Sequence, residues 1–375
     1  MDWAWVIPIP VFIVYTIRIL TYLSGWKKAT RSDLKAKSGT AGSVSVIIPV
    51  RNEETRIQAL LGDLQTQHFP ARDFEIIIVD DHSTDQTAAV VQSHASGNAV
   101  TRLVELGEDE VGKKAAIRRG VLEAAHEVII STDGDCRVPP DWLALMLNAI
   151  REPGIRMVGG PVMIEPDKGC FQAMQSLEFI SLAGVSAASA GLGHPLMCNA
   201  ANLAYLKEDY LHYLETGQQG SASGDDMFLM LWLKKMYPGS VHFITDPAAV
   251  IRTLPADSLQ SFVMQRLRWV SKSRFYRDLH MISTAVLVFL VNACLFVTAL
   301  LCFLGPRWII LFLLLLGTKV LIDGIFLLNV LKHFGKRKLL LVFLPLELIY
   351  FIYVSIIGAA GQVTPYTWKG RNIKP

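Results

Sequence analysis

Residues 43–54 read SVSVIIPVRNEE, a run of β-branched and apolar side chains that stops at an arginine, an asparagine and two glutamates. Valine and isoleucine in near-continuous succession fit a strand buried on both faces, as in a parallel sheet. The pattern occurs twice more. FEIIIV at 74–79 stops at Asp80, Asp81, His82, Ser83, Thr84 and Asp85, and EVIIS at 127–131 stops at Asp133 and Asp135, which flank Gly134. Between these runs the apolar spacing becomes helical: Ile57, Leu60, Leu61 and Leu64, then segments from about Gln86 to Ala95 and from about Lys113 to Ala125, with a further candidate strand at 100–105. Strands alternating with helices imply crossover connections and a parallel sheet, whose ligands sit beyond the carboxyl ends of the strands. All three polar clusters fall at such ends.

The chain as a whole is too apolar for an ordinary soluble protein. Of its 375 residues 51% are hydrophobic, and the mean hydropathy is +0.36, so part of it must meet lipid. Residues 3–23 are mostly apolar, closed by Trp26, Lys27 and Lys28, and lack a small-residue cleavage site, which fits a retained anchor. Arg18 interrupts that run. From Met281 onward three more apolar segments follow, at 281–304, 308–330 and 339–361, separated by Gly305-Pro306-Arg307 and by the basic loop 332–338. Lys27, Lys28, Arg31, Lys35 and Lys37 after the first segment, and the loop at 332–338, place the middle of the chain in the cytoplasm by the positive-inside rule. Pro345 and Glu347 leave the last segment open to either a full crossing or a broken, re-entrant path.

Charge and cysteine content exclude little but point the same way. The net charge of +3 is a small difference between 36 basic and 33 acidic residues, which gives no reason to expect nucleic acid. Five cysteines without a C-x-x-C pair fit a reducing compartment and give no support to a zinc site.

Two carboxylates one residue apart at a strand end repel each other unless a cation lies beside them. Magnesium or manganese bound by one or two carboxylates completes its shell with substrate phosphates, so Asp133 and Asp135 suggest a metal bridged to a diphosphate. Plainer accounts exist for each cluster. Asp80–Asp85 is also what a turn capping the next helix looks like, and Gly224-Asp225-Asp226 equally suits the start of a helix at 227–236. Gln265, Arg268 and Trp269 share one face of a helix, which an amphipathic helix on the membrane surface would explain without a substrate.

Taken in order, IIPVRNEE, IIIVDDHSTDQT, GKKAAIRRG, STDGDC, SGDDMFL and QRLRW resemble the successive motifs of family 2 glycosyltransferases, in the membrane-embedded branch that includes cellulose and hyaluronan synthases and ceramide glucosyltransferases. The resemblance spans about residues 44–270, and the tail TPYTWKGR is similar to the ending of many non-processive members. It implies an α/β fold of GT-A (Rossmann-like) type that binds a nucleotide sugar, flanked by transmembrane helices. The resemblance places Pro49, Val50, Arg51, Glu53, Asp80 and Asp81 along the nucleotide pocket, with Lys113 near the nucleotide. It makes Asp133 and Asp135 the D-x-D that holds a divalent cation, Mg2+ or Mn2+, on the diphosphate. Asp226 becomes the catalytic base, and Gln265, Arg268 and Trp269 become the Q-x-x-R-W motif at the diphosphate and acceptor; Lys114 receives no role.

The expected organisation is an anchor at 1–27, a cytoplasmic GT-A domain at 42–275 and a membrane region at 280–375 with two or three transmembrane helices. The expected activity is inverting transfer of a sugar from a nucleotide-diphosphate donor to a hydroxyl acceptor, a lipid, at the cytoplasmic face of a membrane, with a bacterial inner membrane the best match. The Ala-, Gly- and Ser-rich stretch 179–203 is either an acceptor-facing segment or a tightly packed helix pair, and His194 and Cys198 within it read as local structure. A processive polysaccharide synthase and a non-catalytic sugar-nucleotide-binding membrane protein are the alternatives. The sugar, the nucleotide and the oligomeric state are not readable from these motifs.

Overall fold

The computed structural model describes residues 7–31, 42–96, 100–165, 168–216, 224–361, 366–368 and 371–373. Lys35 and Lys37 of the basic flank lie outside them. Helix α1 (Pro8–Arg31) comes first, followed by β1 (Val44–Val50), α2 (Ile57–Gln65), β2 (Phe74–Asp80), α3 (Thr87–Ser96), β3 (Thr101–Glu105), α4 (Lys113–Glu123) and β4 (Val128–Ser131). Next are α5 (Trp142–Ile150), β5 (Met157–Gly159), β6 (Val162–Ile164), α6 (Cys170–Gly191), β7 (Leu203–Leu206), α7 (Lys207–Thr216), α8 (Asp225–Met236), β8 (Val241–Phe243) and β9 (Ile251–Thr253). The chain continues with α9 (Leu259–Ser271), α10 (Leu279–Leu301), α11 (Pro306–His333), α12 (Phe343–Ala360) and the short antiparallel pair β10 (Tyr366–Trp368) and β11 (Arg371–Ile373).

Two compact units result, one built from 27–166 with 185–254, the other from 1–26, 167–184 and 255–375. The first unit holds a seven-stranded sheet in the order β3-β2-β1-β4-β7-β5-β8. Its parallel core follows from composition: Val46, Ile47 and Ile48 of β1 and Ile76, Ile77 and Ile78 of β2 are fully buried, because helices cover both faces. Val50 lies opposite Asp80 in register, and Ile47 opposite Ser131, so β1, β2 and β4 finish along one edge. The expected parallel arrangement holds for β3, β2, β1 and β4, and β7 departs from it, running antiparallel to both β4 and β5. Four residues set between a single 3-10 turn and α7 carry no sequence signal of direction.

Helix α2 buries the residues its spacing marks, Ile57, Leu60, Leu61 and Leu64. Helix α4 lies so close to the sheet that a Cβ on Gly120 would stand 2.6 Å from Ile47 Cγ2 and 3.2 Å from Val79 Cγ2. Both neighbours are β-branched and cannot swing aside. Gly120→Ala is therefore expected to destabilise the protein by about 1–3 kcal/mol, measured as a lower thermal midpoint of the solubilised full chain.

Among the described residues four helical segments, nearly all within the second unit, are long and apolar enough to cross a membrane: Pro8–Arg31, Leu279–Leu304, Pro306–His333 and Arg337–Ala360. Several of their charged residues are partnered. Arg18 donates to Thr284 Oγ1 (2.9 Å), and buried Lys319 donates to Asp323 (2.8 Å) and to Glu347 (2.6 Å). Tyr15 donates to Asp323 as well (2.7 Å). A paired set of this kind ties helices together where an isolated charge would be costly. Glu347 thus has a partner, and Pro345 falls in the first turn of α12, where its missing N–H breaks no helical bond. Helix α12 is continuous from Phe343 to Ala360, and Gly361 at its end packs against Val270 of α9.

Residues 255–271 cluster with these helices. On α9, Arg266 pairs with Glu178 of α6 (2.5 Å) and lies 4.3 Å over the Trp269 ring. Both charges are nearly inaccessible, so the pair locks α9 to α6 with little screening.

Candidate active site

The loops after β1 and β2 are stitched together by side chains of the clusters that end those strands. Arg51 Nη1 donates to the carbonyls of Asp81 (2.6 Å) and His82 (3.1 Å). The Glu53 N–H donates to Thr87 Oγ1 (2.7 Å), and the Thr84 N–H donates to Asn52 Oδ1 (2.8 Å). Asn52 and His82 take positive φ values of 54° and 56°, which the reciprocal loop contacts hold in place. Asp80 accepts from the Ser83 N–H (2.9 Å) and from its hydroxyl, and Asp81 accepts from the Gly112 N–H (3.0 Å). Asp85 accepts from the Thr87 N–H (3.0 Å) at the start of α3, which fits the turn-capping account for Asp85, whereas the bonds of Asp80 stay within its own loop. Asp81 does something else: it fixes the backbone just before α4.

At the end of β4 the D-G-D turn sits directly against the end of β1. A Cβ on Gly134 would meet Val50 Cγ1 at 2.9 Å and Glu53 Cγ at 3.4 Å. Glycine is thus needed there for room, since Gly134 is not among the residues with positive φ. Lys113, the first residue of α4, forms an ion pair with Asp133. Burial first, and then the charges of Asp133 and Asp135, push the Cys136 thiol well above its ordinary range, so it stays protonated.

The fourth acidic cluster joins the same edge from the other side. Helix α8 begins at Asp225, two residues earlier than its apolar spacing suggests, with Gly224 at φ 96° as the N-cap. Neither aspartate caps the helix, but both stand in its first turn, where the helix dipole favours a carboxylate. Asp225 is buried and accepts from Tyr210 (2.7 Å) and Tyr213 (3.4 Å), with Lys114 Nζ at 3.2 Å. Burial first, and the Asp225 charge second, push the hydroxyls of Tyr205, Tyr210 and Tyr213 well above the usual phenol range. Asp226 is only half-buried, and its Oδ2 accepts from the Ala200 N–H (3.1 Å). Ser131, the last residue of β4, donates to the Ala200 carbonyl (2.8 Å). One backbone turn therefore links Asp226 to the strand that carries Asp133.

The turn is itself fixed by Asn202, fully buried, whose side chain accepts from Trp142 Nε1 (3.0 Å) and donates to the carbonyls of Pro161 (3.0 Å) and Ala249 (2.9 Å). Cys198 donates its N–H to Met227 Sδ (3.4 Å), and the His194 N–H bonds Ser189 (2.9 Å), so this part of 179–203 lies against α8 as local structure.

The site residues from 49 to 226 thus gather at the ends of β1, β2 and β4 and the first turns of α4 and α8. Gln265, Arg268 and Trp269 stand on α9 in the other unit. Among the described residues no group of three or more His, Cys, Asp or Glu side chains could hold a metal ion. Asp133 and Asp135 still offer hard oxygen ligands of the kind magnesium and manganese take when a substrate diphosphate fills the rest of the shell, so the donor set fits such an ion. Sequence reasoning missed Lys114, Asn202, Tyr210 and the Ala200 backbone. Only Lys114, beside a motif lysine, gave any signal.

A mainly parallel sheet with carboxylates gathered beyond its strand ends, facing the acidic first turn of a helix, defines an α/β domain of GT-A type. Residues 45–211 match the sequence profile described as "Glycosyl transferase family 2". It is 32% identical over 158 residues to "Glycosyltransferase AglE" of Haloferax volcanii, covering 40% of this chain and 51% of that one. It is 33% identical over 118 residues to "Undecaprenyl-phosphate 4-deoxy-4-formamido-L-arabinose transferase" of Pseudomonas savastanoi pv. phaseolicola, covering 31% of this chain and 34% of that one. The chain thus spans about half, or less, of these relatives' lengths. A solved mannosyltransferase from Pyrobaculum calidifontis, in complex with GDP-Man and Mn2+, superposes over 90% of this chain and 98% of its own, with a TM-score of 0.57 and 20% identity. At that identity the likeness is one of fold.

Proposed function

We propose that the chain is an inverting glycosyltransferase that moves a single sugar from a nucleotide-diphosphate donor to the hydroxyl of a lipid acceptor, at the cytoplasmic face of a bacterial inner membrane. The observation that carries this reading is the bridge Ser131–Ala200–Asp226. It sets a half-exposed carboxylate beside the strand end that bears Asp133 and Asp135, although nearly a hundred residues of chain intervene.

In this reading Arg51, Glu53 and Asp81 shape the loops that receive the nucleotide, with Pro49 and Val50 beneath them. The acceptor oxygen forms a bond to the anomeric carbon, and its proton passes to Asp226. The carbon–oxygen bond to the diphosphate breaks, and its electron pair leaves with the nucleotide. Displacement from the opposite side inverts the anomeric centre. A divalent ion held by Asp133 and Asp135 would neutralise charge on the departing diphosphate. Lys113, already at Asp133, adds positive charge at the same place, and Gln265, Arg268 and Trp269 are assigned to the diphosphate and acceptor. The lipid acceptor is supported by the four apolar segments and by the lipid phosphate in the name of one relative.

The test is incubation of membranes containing the protein with labelled UDP- and GDP-sugars, followed by organic extraction. Label is expected in the lipid fraction only when Mg2+ or Mn2+ is present. Asp135→Asn is expected to lower that transfer by about 100-fold or more, read from the same assay across a manganese titration. Products that lengthen by many sugars would identify a polymer synthase instead, and binding of a donor with no transfer to any acceptor would identify a non-catalytic binding protein.

A further inference from the structure

Adjacent lysines at the start of α4 reach two different acidic clusters. Lys113 pairs with Asp133 at the end of β4, and Lys114 places its Nζ 3.2 Å from Asp225 Oδ1, in the first turn of α8. Asp225 is 9% exposed and Lys114 has a side chain only 21% exposed, so solvent screens this pair less than a surface one. Tyr210 and Tyr213 fill further acceptor positions of Asp225, at 2.7 Å and 3.4 Å. Tyr205 stacks on Tyr210 with ring centroids 5.5 Å apart. A carboxylate held this way by three side chains from two elements, α4 and α7, is restrained from rotating, and the peptide that follows it belongs to Asp226.

We propose that Lys114 and Asp225, with Tyr210, form a positioning device that aims Asp226. None of the three is a catalytic residue. Lys114 fixes Asp225 from the side of the proposed donor site, the two phenols fix it from α7, and Asp225 sets the first turn of α8, from which Asp226 projects to the Ala200 N–H. Because Lys113 is covalently joined to Lys114, the same helix start that touches the donor-side carboxylate also sets the orientation of the base. The device rests on the glycosyl-transfer reading above, since it has a purpose only if Asp226 accepts a proton.

The two lysines predict separable kinetic signatures. A group that orients the base acts on the chemical step, whereas one at the diphosphate acts on donor binding as well. The experiment uses the full-length protein in detergent, with Lys114→Met, Lys114→Arg, Lys113→Met and Asp226→Asn assayed together for transfer from the labelled donor. Hydrogen exchange is followed at the amides of residues 226–228. Lys114→Met is expected to lower kcat by about 10–100-fold with the donor KM unchanged within about twofold, and to speed exchange at those amides. Lys114→Arg is expected to restore most of both. Lys113→Met is expected to raise the donor KM. The proposal is overturned if Lys114→Met keeps kcat within about twofold of the parent, if KM rises in step with the loss of kcat, or if exchange at 226–228 does not change. Undiminished transfer by Asp226→Asn would overturn the base assignment itself, whatever Lys114 does.

Discussion

Replacing Asp226 with asparagine is expected to lower sugar transfer by about 10²–10⁴-fold while donor affinity stays close to that of the parent. The amide keeps the shape of the carboxylate, and its oxygen still accepts from the Ala200 N–H, so the bridge to Ser131 survives. What it cannot do is take a proton from the acceptor hydroxyl. Asp225 does not substitute, because its oxygens are occupied by Tyr210, Tyr213 and Lys114 and it is buried. Parallel measurement of transfer and of labelled-donor binding checks both halves, and a variant that binds poorly would point to a different role for Asp226.

The second large effect falls on stability. Asn202→Ala removes one acceptor and two donors at a site with no access to water, leaving the Trp142 indole N–H and the Ala249 carbonyl without their partner, while the Pro161 carbonyl keeps only the Ile251 N–H. Each orphaned group costs about 1–3 kcal/mol, so a total loss of about 2 kcal/mol or more is expected, seen in thermal unfolding of the solubilised chain. The same change loosens the turn that presents the Ala200 N–H to Asp226, and transfer measured well below the unfolding temperature should fall as well. A surface asparagine would show neither effect.

The contrast between these two residues shows which parts of the molecule are legible in sequence. Strands β1, β2 and β4 and their acidic ends are visible because burial on both faces demands an unbroken apolar run, and each run stops where the polar cluster starts. Asp226 is visible as part of an ordered set of motifs. Asn202 is not, because its importance comes from three partners at positions 142, 161 and 249, and nothing local to Ala200–Asn202 encodes them. Lys114 is a parallel case: a lysine at the second position of a helix is ordinary, and only the fold brings Asp225 to it. Lys319 and Asp323 sit inside an apolar run whose average hydropathy conceals them, and Glu347 gains its meaning from Lys319 alone. The direction of β7 and the early start of α8 were hidden for a different reason. A four-residue strand and a glycine-started helix are set by their neighbours and by backbone capping, and side-chain periodicity records neither.

In the proposed reaction the ends of β1, β2 and β4 and the start of α8 serve one reaction centre. The most direct measurement is anomalous scattering from manganese in crystals of the full chain soaked with Mn2+ and a nucleotide diphosphate. A single strong peak is expected between the diphosphate and the carboxylates of Asp133 and Asp135, with the nucleobase in the loops after β1 and β2. A nucleotide bound elsewhere, or manganese held away from both aspartates while the diphosphate occupies its site, would contradict it.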